Sequence, residues 1–326
     1  MINNQQANKE RYINFCKSQP DLPLFFQPFW LDAVCRQNDW QVALSFEDKK
    51  IIGCLVYFRT KKYMQAVINM PLLTPYSGVL LFLPEGLKLV TQYSLEKKII
   101  NELIAQLPLN DVVYYTQNFH PDFQNGLPFY WIGFRQTTLY TYRITHAQNW
   151  SHMQLRANVR NKIAKAKKEL FIKESDDVAL LYSLVAQSYT RRNMAMPFDF
   201  TFLQQLETIL KKQDASKILI AYDTKNQPLS AIYLVFDKNT VYNLLLGLNL
   251  NIKNSSAVSY LLYESIVWSL QQQKNFDFEG TMLQSVEELF SGFGAQRTPY
   301  SRGYRTKNAF WELVYSIKNR YDKNNR

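Results

Sequence analysis

Two acidic residues alternate with two phenylalanines near the carboxyl-terminal end of the chain. Asp277 and Glu279 lie in the sequence Phe-Asp-Phe-Glu-Gly at positions 276–280. Because side chains alternate between the two faces of a strand, this pattern predicts a strand whose carboxylates share one face and whose rings share the other. A carboxyl group desolvated beside aromatic rings can have its pKa raised into the range of a general base. Asp277 and Glu279 are therefore the first candidates for proton transfer.

A structural role is the alternative for each residue of this group. The two acids could instead hold backbone amides or the guanidinium groups of Arg297 and Arg305. Tyr300 could orient a substrate or protonate a leaving group, or it could simply pack in the core. The types of these residues do not decide between the two roles.

A short run of elements must position these side chains. Ser285 followed three residues later by Glu288 has the form of a capping box and predicts the start of a short helix. Glycines at 292 and 294 predict its end, and residues 299–305 read as a second strand. The predicted unit is strand, turn, helix, turn, strand.

The composition is that of a globular protein of two domains. The chain has 326 residues, of which 47% are hydrophobic and 15% aromatic, and its formal net charge is +11. This is too apolar for disorder and too long for one typical domain. The positive charge favours an anionic partner such as a nucleic acid, a phosphate-linked substrate or a membrane face, although solubility alone would also explain it.

Few other signatures of a site are present. Three cysteines, at 16, 35 and 54, match no disulfide or zinc pattern, and three histidines, at 120, 146 and 152, fit surface or capping roles without metal-ligand spacing. The first residues are polar, unlike a signal peptide, and no apolar run reaches the roughly 18 residues of a membrane span. We expect a cytoplasmic protein without a bound metal or a tightly bound cofactor.

Both halves of the chain show the same order of elements. Hairpins are predicted within residues 42–58 and 218–236, and each is followed by further strands and by a helix, at 94–107 and 256–270. A Gly-Phe pair with a following strand recurs at 133–134 and 292–293, which are 159 positions apart. A weak duplication is the preferred interpretation, and chance similarity of two α/β domains is the alternative.

A basic helix is predicted between the halves, at 150–170. Apolar residues recur at helical spacing along one face, while cations cover most of the remainder. Arg156, Arg160 and Lys162 are its candidates for phosphate binding, and a merely solvated charged face is the alternative. A further helix, at 178–191, ends in Arg191, Arg192 and Asn193, which could anchor a substrate or simply complement the helix dipole.

The chain resembles tandem GNAT-type acyltransferase domains, and its second half resembles the FemAB-like branch of that superfamily. This branch comprises the nonribosomal peptidyltransferases and related N-acyltransferases of cell-envelope synthesis. The resemblance is carried by motifs that lie in the second half: FDFEG at 276–280, VEELFSGFG at 286–294, the aromatic strand with Pro299 and Tyr300, RANVRNKIAKAKKE at 156–169 and SYTRRNMAMPF at 188–198.

The resemblance implies an α+β fold of two tandem GNAT-like domains, each with a twisted mixed β-sheet flanked by helices. The first domain, 1–148, would be a degenerate copy. The second, 149–326, would open with the basic helix and carry the active cleft. The implied function is transfer of an acyl or aminoacyl group to an amine of a small-molecule or lipid-linked envelope precursor, or of an amino sugar. Asp277 or Glu279 would then be the base, with Tyr300 beside the substrate.

The acyl donor is left open between acyl-CoA and aminoacyl-tRNA. GNAT enzymes cradle the pyrophosphate of coenzyme A in a Gly-rich loop at a helix N-terminus, whereas this chain has GLNLNIKNSSAVSYLL at 247–262. The missing glycines favour aminoacyl-tRNA, yet residues 150–170 are too short for the long tRNA-binding arm of some relatives. The predicted substrate-binding residues lie at the end of the helix at 178–191, on the strand before this loop and at the start of the following helix. They are Arg191, Arg192, Asn193, Tyr242, Asn254, Ser255 and Ser256.

The alternative function is noncatalytic binding of nucleic acid or phosphate by the basic residues within 156–168. Its affinity for RNA and DNA would fall steeply with salt. The acceptor, the existence of a dedicated base and the oligomeric state are not predicted, and no DNA partner is expected for the enzyme.

Overall fold

The computed structural model describes residues 2–35, 40–62, 64–252, 254–280 and 282–324. Contacts divide the chain into two compact units. The first unit comprises Met1–Leu139 and Pro299–Tyr321, and the second comprises Tyr140–Thr298 and Asp322–Arg326. The predicted domains, 1–148 and 149–326, differ from these units mainly in the placement of the segment after residue 298.

Helices and strands alternate through both halves of the chain. The helices are α1 Ile2–Cys16, α2 Pro28–Val34, α3 Leu89–Ala105, α4 Leu127–Trp131, α5 Ala157–Glu169, α6 Val178–Arg191, α7 Phe200–Lys212, α8 Ser255–Gln271, α9 Gln284–Ser291 and α10 Ala309–Asn324. The strands are β1 Trp40–Glu47, β2 Lys50–Lys62, β3 Gln65–Asn69, β4 Gly78–Leu81, β5 Tyr114–Asn118, β6 Arg135–Ile144, β7 Leu170–Ser175, β8 Ser216–Asp223, β9 Pro228–Phe236, β10 Thr240–Leu248, β11 Asn275–Asp277 and β12 Gln296–Thr306.

The sheet of the first unit has the order β1-β2-β3-β5-β12, with β4 also paired to β2. Strand β3 runs parallel to β5, while β1, β3 and β4 run antiparallel to β2. Helix α3 covers this sheet and buries Ile99 and Leu103 in a core with Leu55 and Tyr115. The unit is therefore a mixed sheet with its own hydrophobic core.

The sheet of the second unit has the order β6-β11-β10-β9-β8-β7. Strands β10 and β11 are parallel, and the other pairs are antiparallel. Its core joins Ile163 of α5 and Leu261 of α8 to Phe276 and Phe278. This mixed α+β architecture agrees with the predicted fold class.

Each sheet is completed by a strand from the other half of the sequence. The end of β6 pairs with β11, where Arg143 lies opposite Asp277, and the end of β12 pairs with β5, where Arg302 lies opposite Asn118. Unpaired edges leave backbone donors and acceptors unsatisfied. This pairing explains why the segment 299–321, predicted to belong to the second domain, joins the first unit.

Most predicted elements are present, and several others escaped sequence analysis. Both hairpins, the helices at 94–107, 178–191 and 256–270, and the buried face of the basic helix are confirmed. The sequence from Phe29 to Gln37 also predicts a short helix, which is α2 in the structure, and Gln37 lies outside the described ranges. Elements without a prediction are α1, β3, α4, β7, α7 and α10.

Two local predictions near the FDFEG motif are wrong. The strand ends at Asp277 instead of continuing through Glu279, whose φ is +62°. Helix α9 begins at Gln284 after Leu283, so Ser285 lies inside its first turn and is not the capping residue.

Among the described residues, no helix has the length and apolar character needed to cross a membrane.

Candidate active site

Strand β11 places Asp277 inside the second unit. The phenyl rings of Phe276 and Phe278 flank it in the core, with their centroids 4.9 Å apart and their planes nearly perpendicular. Asp277 itself is 0% exposed. A buried carboxylate is costly unless it is paired and hydrogen-bonded, so its partners decide its role.

Three donors surround the Asp277 carboxylate. Its Oδ1 accepts hydrogen bonds from the Thr141 hydroxyl at 2.5 Å and from the backbone N–H of Glu279 at 2.8 Å, and its Oδ2 accepts one from Arg143 Nε at 2.8 Å. Thr141 and Arg143 both belong to β6, the neighbouring strand. Both oxygens are engaged within the protein, which supports a structural role for Asp277, while its part in proton transfer stays a prediction.

The chain turns sharply after Asp277. Glu279 and Gly280 have φ values of +62° and +75°. A Cβ at position 280 would lie 2.4 Å from the carbonyl oxygen of Tyr140, so only glycine permits this close approach to β6. The turn and the bond from the Glu279 N–H to Asp277 together fix the backbone from which the Glu279 side chain projects.

Glu279 contrasts with Asp277 because one of its carboxyl oxygens has no partner. Its Oε1 is buried and accepts no hydrogen bond from any described residue, although the residue as a whole is half-buried. Burial, and secondly the nearby Asp277 charge, raise the pKa of the Glu279 carboxyl well above its ordinary value. Glu279 therefore has the chemistry of a proton acceptor more clearly than Asp277 does.

Tyr189 of α6 lies within electrostatic reach of Glu279. Burial raises the pKa of the Tyr189 hydroxyl, the Arg192 charge lowers it and the Glu279 charge raises it. The structure thus associates Arg192, a predicted substrate-binding residue, with the predicted base through a tyrosine that sequence analysis missed. Tyr189 lies in the SYTRR motif, and helical spacing places it only one turn before Arg192.

Arg191 and Asn193 lie at the same helix end. Arg191 is exposed in the last turn of α6. Asn193 has a φ of +53°, and its N–H donates to the Thr190 carbonyl oxygen at 3.0 Å. This is the geometry of a residue that terminates a helix, which accounts for Asn193 without a ligand.

A second polar network lies on β6 beside the first. The Tyr142 hydroxyl donates to Glu287 Oε1 at 2.8 Å and accepts from Arg297 Nε at 3.1 Å, while Arg297 Nη2 lies 3.6 Å from the same Glu287 oxygen. The partners are 145 and 155 residues apart in sequence, so no local pattern could have indicated the network. The network connects α9 and the start of β12 to β6, the strand whose Thr141 and Arg143 side chains bond Asp277.

The junction between β10 and α8 has few free backbone donors. The N–H of Leu248 donates to Ser188 Oγ at 3.0 Å, and that of Leu250 donates to Gln187 Oε1 at 2.9 Å. At the start of α8, the Ser256 N–H donates to Asn254 Oδ1 at 3.0 Å. Amides already bonded within the protein are poorly suited to cradle a pyrophosphate.

Four predicted substrate-binding residues lie in this junction or in the strand before it. Asn254 caps α8, and Ser256 is buried at 7% exposure, while the side chain of Ser255 lies outside the described part of the chain. Tyr242 is 1% exposed, and its hydroxyl donates to Asp237 Oδ2 at 3.1 Å. The structure accounts for Asn254 and Tyr242 by capping and packing, and their binding of substrate stays a prediction.

Tyr300 belongs to the first unit, unlike the two acids. Its half-buried ring meets the ring of Tyr76 edge to face, with centroids 5.0 Å apart. Packing therefore explains Tyr300 within its own unit. Its predicted part in the reaction remains a prediction.

The basic helix α5 lies on the second unit with its cations partly bonded to that unit. Arg156 donates to Ser291 Oγ and Arg160 to the Met153 carbonyl oxygen, each at 3.3 Å. Lys167 pairs with Glu264 at 3.2 Å. Lys162 is half-buried, and Arg156 is exposed at the helix start. The side chains that could meet a phosphate are therefore present, but two of them already serve local contacts.

The histidines and cysteines take no part in the contacts described above, although His146 contacts Asn275 of β11. His120 is buried at 5% exposure, which corrects the prediction of a surface or capping role, whereas His146 and His152 are exposed. All three cysteines are free and buried. No group of three or more potential metal ligands occurs in the described ranges.

Comparison with known proteins gives the family of this arrangement. A model of the acetyltransferase (GNAT) domain matches residues 153–279, a span that ends at Glu279. Residues 153–279 therefore carry a GNAT acyltransferase domain, which agrees with the GNAT resemblance read from the sequence. No curated protein matches the chain by sequence.

Solved structures show the same fold at low identity. FemX superposes with a TM-score of 0.67 at 11% identity, over 94% of this chain and 98% of FemX. L-PGS from Bacillus licheniformis gives 0.53 at 12% identity, over 85% and 88% of the two chains. The C-terminal domain of an Agrobacterium fabrum protein described as a lysylphosphatidylglycerol synthetase gives 0.56 at 12% identity, over 95% and 96%. These similarities extend over both units and establish the tandem architecture.

Proposed function

We propose that the second unit transfers an aminoacyl or acyl group to an amine of a cell-envelope precursor or amino sugar, with Glu279 as the general base. The observation that supports this most is the buried Oε1 of Glu279, which has no partner in the described structure and belongs to a carboxyl of raised pKa. It lies at the end of the segment that matches the GNAT domain.

The base would act on the acceptor before the new bond forms. An amine is mostly an ammonium ion at neutral pH, and it becomes a nucleophile only when it loses a proton. Since a higher pKa makes a carboxylate a stronger base, the ionised Glu279 takes that proton better than an ordinary glutamate. The nitrogen then attacks the donor carbonyl carbon, a C–N bond forms, and the bond from that carbon to the leaving oxygen or sulfur breaks. Glu279 can return its proton to the leaving group, and the attacking nitrogen releases its second proton to water as the amide forms.

Asp277 would position the base and not replace it. Its carboxylate accepts the Glu279 N–H and is held by Thr141 and Arg143. A residue fixed in this way keeps the Glu279 backbone in one conformation. Precise placement of reacting groups supplies a large part of the rate enhancement in such transfers.

Aminoacyl-tRNA is the donor that we favour over acyl-CoA. The amides of Leu248 and Leu250 are bonded within the unit, which leaves them unavailable to a pyrophosphate. The exposed cations of α5 can neutralise RNA phosphates. One of the neighbours in fold is described as a lysylphosphatidylglycerol synthetase. We expect the envelope precursor or amino sugar to supply the accepting amine.

A donor panel tests this function. The protein would be incubated with alanyl-, seryl- and lysyl-tRNA, acetyl-CoA and a long acyl-CoA, each with glucosamine or a lysine-containing stem peptide. N-acylated product would be measured by mass spectrometry and donor binding by thermal shift. We expect product with a charged tRNA and not with free amino acid.

Charge reversal on α5 tests whether this helix binds the tRNA donor, and product formation distinguishes acyl transfer from noncatalytic binding of nucleic acid. Lys162→Glu with Lys165→Glu should weaken tRNA binding and raise the KM for the donor while leaving the fold intact. Product with acyl-CoA alone would overturn the donor assignment. Salt-sensitive binding of any RNA or DNA without product from any donor would instead favour the nucleic-acid-binding alternative.

A further inference from the structure

The first unit contains an open groove that none of the residues discussed above lines. It lies between α1, the turn of the β1–β2 hairpin and the residue after β4, and its volume is about 960 Å³. Phe15, Phe46 and Phe82 form its apolar part, and each of these is half-buried. The rings of Phe15 and Phe82 meet edge to face with centroids 4.9 Å apart. This volume is within the range of small-molecule sites.

Three cations line the same groove. Arg11, Lys49 and Lys50 are exposed, and none forms an ion pair with a carboxylate of the described residues. The guanidinium carbon of Arg11 lies 5.7 Å from the centroid of the Phe46 ring. The remaining lining residues, Asn14, Gln19 and Ile51, are neutral. The groove therefore combines an aromatic surface with three cations that form no ion pair among the described residues, although Glu47 is opposite Lys50 in the hairpin.

This combination indicates the chemistry of a ligand. A phosphate monoester carries a charge between about −1.5 and −2 at neutral pH and offers several acceptor oxygens, which suits a guanidinium with two ammonium groups. The phenylalanines would bury an apolar body next to that headgroup. A simple anion would leave the rings uncovered, and a neutral apolar molecule would leave the cations without partners.

We propose that the groove between α1 and the β1–β2 turn binds a phosphorylated amphiphile, with the phosphate on Arg11, Lys49 and Lys50 and the apolar body on the three phenylalanines. The ligand can be a soluble phosphate ester or the headgroup of a membrane lipid. The site is independent of the acyl-transfer chemistry assigned to Glu279.

Four small molecules distinguish the contribution of the phosphate group to binding from that of the apolar chain. Binding of decyl phosphate, below its micellar concentration, would be measured by calorimetry beside inorganic phosphate, decyl maltoside and decyltrimethylammonium. We expect decyl phosphate to bind at least about tenfold more tightly than each of the other three, since only it satisfies both halves of the groove. Flotation with phosphatidylglycerol vesicles, against phosphatidylcholine vesicles, then shows whether the headgroup is read in a membrane or in solution.

Two variants and a matched control assign the binding to the groove. Lys49→Glu with Lys50→Glu should weaken decyl phosphate binding at least about tenfold, because it replaces attraction by repulsion. Lys97→Glu with Lys98→Glu makes the same charge change on the exposed face of α3 and should alter the affinity less than about twofold. Phe82→Ala should weaken decyl phosphate binding but leave the weak binding of inorganic phosphate unchanged.

Several results would overturn the proposal. These are no binding of decyl phosphate to the folded protein, equal binding of decyl maltoside or inorganic phosphate, or equal losses in the hairpin variant and the α3 control. Circular dichroism of each variant shows whether it is folded. If Phe82→Ala proves unstable, Phe46→Leu serves as the second test of the apolar part.

Discussion

The ends of β5 and β11 occupy corresponding places in the two units, but β5 ends in an amide side chain and β11 ends in a carboxylate. In the first unit Asn118 lies opposite Arg302, whose Nε donates to Asn118 Oδ1 at 2.7 Å. In the second unit Asp277 lies opposite Arg143, whose Nε donates to Asp277 Oδ2 at 2.8 Å. The same frame therefore holds a neutral amide in one unit and a carboxylate in the other.

The correspondence continues into the turn. The N–H of Phe119 donates to the Ser301 carbonyl oxygen at 2.8 Å, and that of Phe278 donates to the Tyr142 carbonyl oxygen at 3.0 Å. All these pairs are related by 159 positions, the offset of the repeated Gly-Phe pair. The next residue is His120 in the first unit and Glu279 in the second.

The two residues that follow this shared frame, His120 and Glu279, have different surroundings. His120 is packed edge to face against Tyr76, and its Nδ1 accepts the Asp122 N–H at 3.3 Å. Glu279 has a buried oxygen without a partner among the described residues. The frame is thus architectural, and the chemistry depends on what each unit places just beyond it.

Exchange of Glu279 for glutamine tests the difference most strongly. Glu279→Gln keeps the shape of the side chain but cannot accept the proton, so we expect kcat/KM to fall by about 10²–10⁴-fold. His120→Gln, at the corresponding place in the first unit, should change kcat/KM by less than about threefold. Steady-state rates of both variants, with circular dichroism as the folding control, decide the point. Equal losses in the two variants would contradict an assignment of the base to one unit.

Two single variants, Asp277→Asn and Asn118→Asp, test how much each of these side chains contributes to the free energy of unfolding. Asp277→Asn turns an amide N–H₂ toward groups that are themselves donors, and it breaks a buried ion pair, so we expect a loss of about 3 kcal/mol. Asn118→Asp gains an ion pair with Arg302 and loses the hydrogen bond to the Pro75 carbonyl, so its cost should be about 1 kcal/mol. Urea unfolding of both variants gives the comparison, and a larger loss for Asn118→Asp would speak against the structural role of Asp277.

The turn after β11 gives a third contrast. Gly280→Ala adds a Cβ that would lie 2.4 Å from the Tyr140 carbonyl oxygen, and we expect a loss of at least about 2 kcal/mol. Gly133→Ala has a similar φ, +87°, and nothing within 4 Å of its Cβ. It should cost only about 1 kcal/mol, from backbone strain alone. Similar melting temperatures for the two variants would show that the close approach to β6 is not required.

The raised pKa of Glu279 predicts the smallest effect. A carboxyl whose pKa is higher in the folded than in the unfolded state stabilises the protein fully below the unfolded pKa, and that contribution is lost as pH rises through the folded pKa. Compared with Glu279→Gln, the wild type should lose unfolding free energy as the pH rises above the ordinary pKa of a glutamate toward the raised pKa of Glu279. Parallel pH profiles of the two proteins would exclude the raised pKa.

The sequence predicted the frame better than the site. Periodicity predicted both hairpins and the helix with Ile163 on its buried face, because these signals depend on neighbours within one element. Strand alternation failed at Glu279, since a left-handed turn stabilised by Asp277 and Gly280 overrides it. Two of the three donors to Asp277 come from Thr141 and Arg143, which are more than 130 residues away in sequence. No local pattern contains such a contact.

The pH dependence of acyl transfer tests the role of Glu279 most directly. With the donor and acceptor that give product, kcat/KM of the wild type should rise with pH through the raised pKa of Glu279 and then level off. Glu279→Gln should be slow and should lack that inflection, while Asp277→Asn, where folded, should keep it at a reduced rate. A Glu279→Gln variant with the rate and the pH profile of the wild type would contradict the assignment of the base.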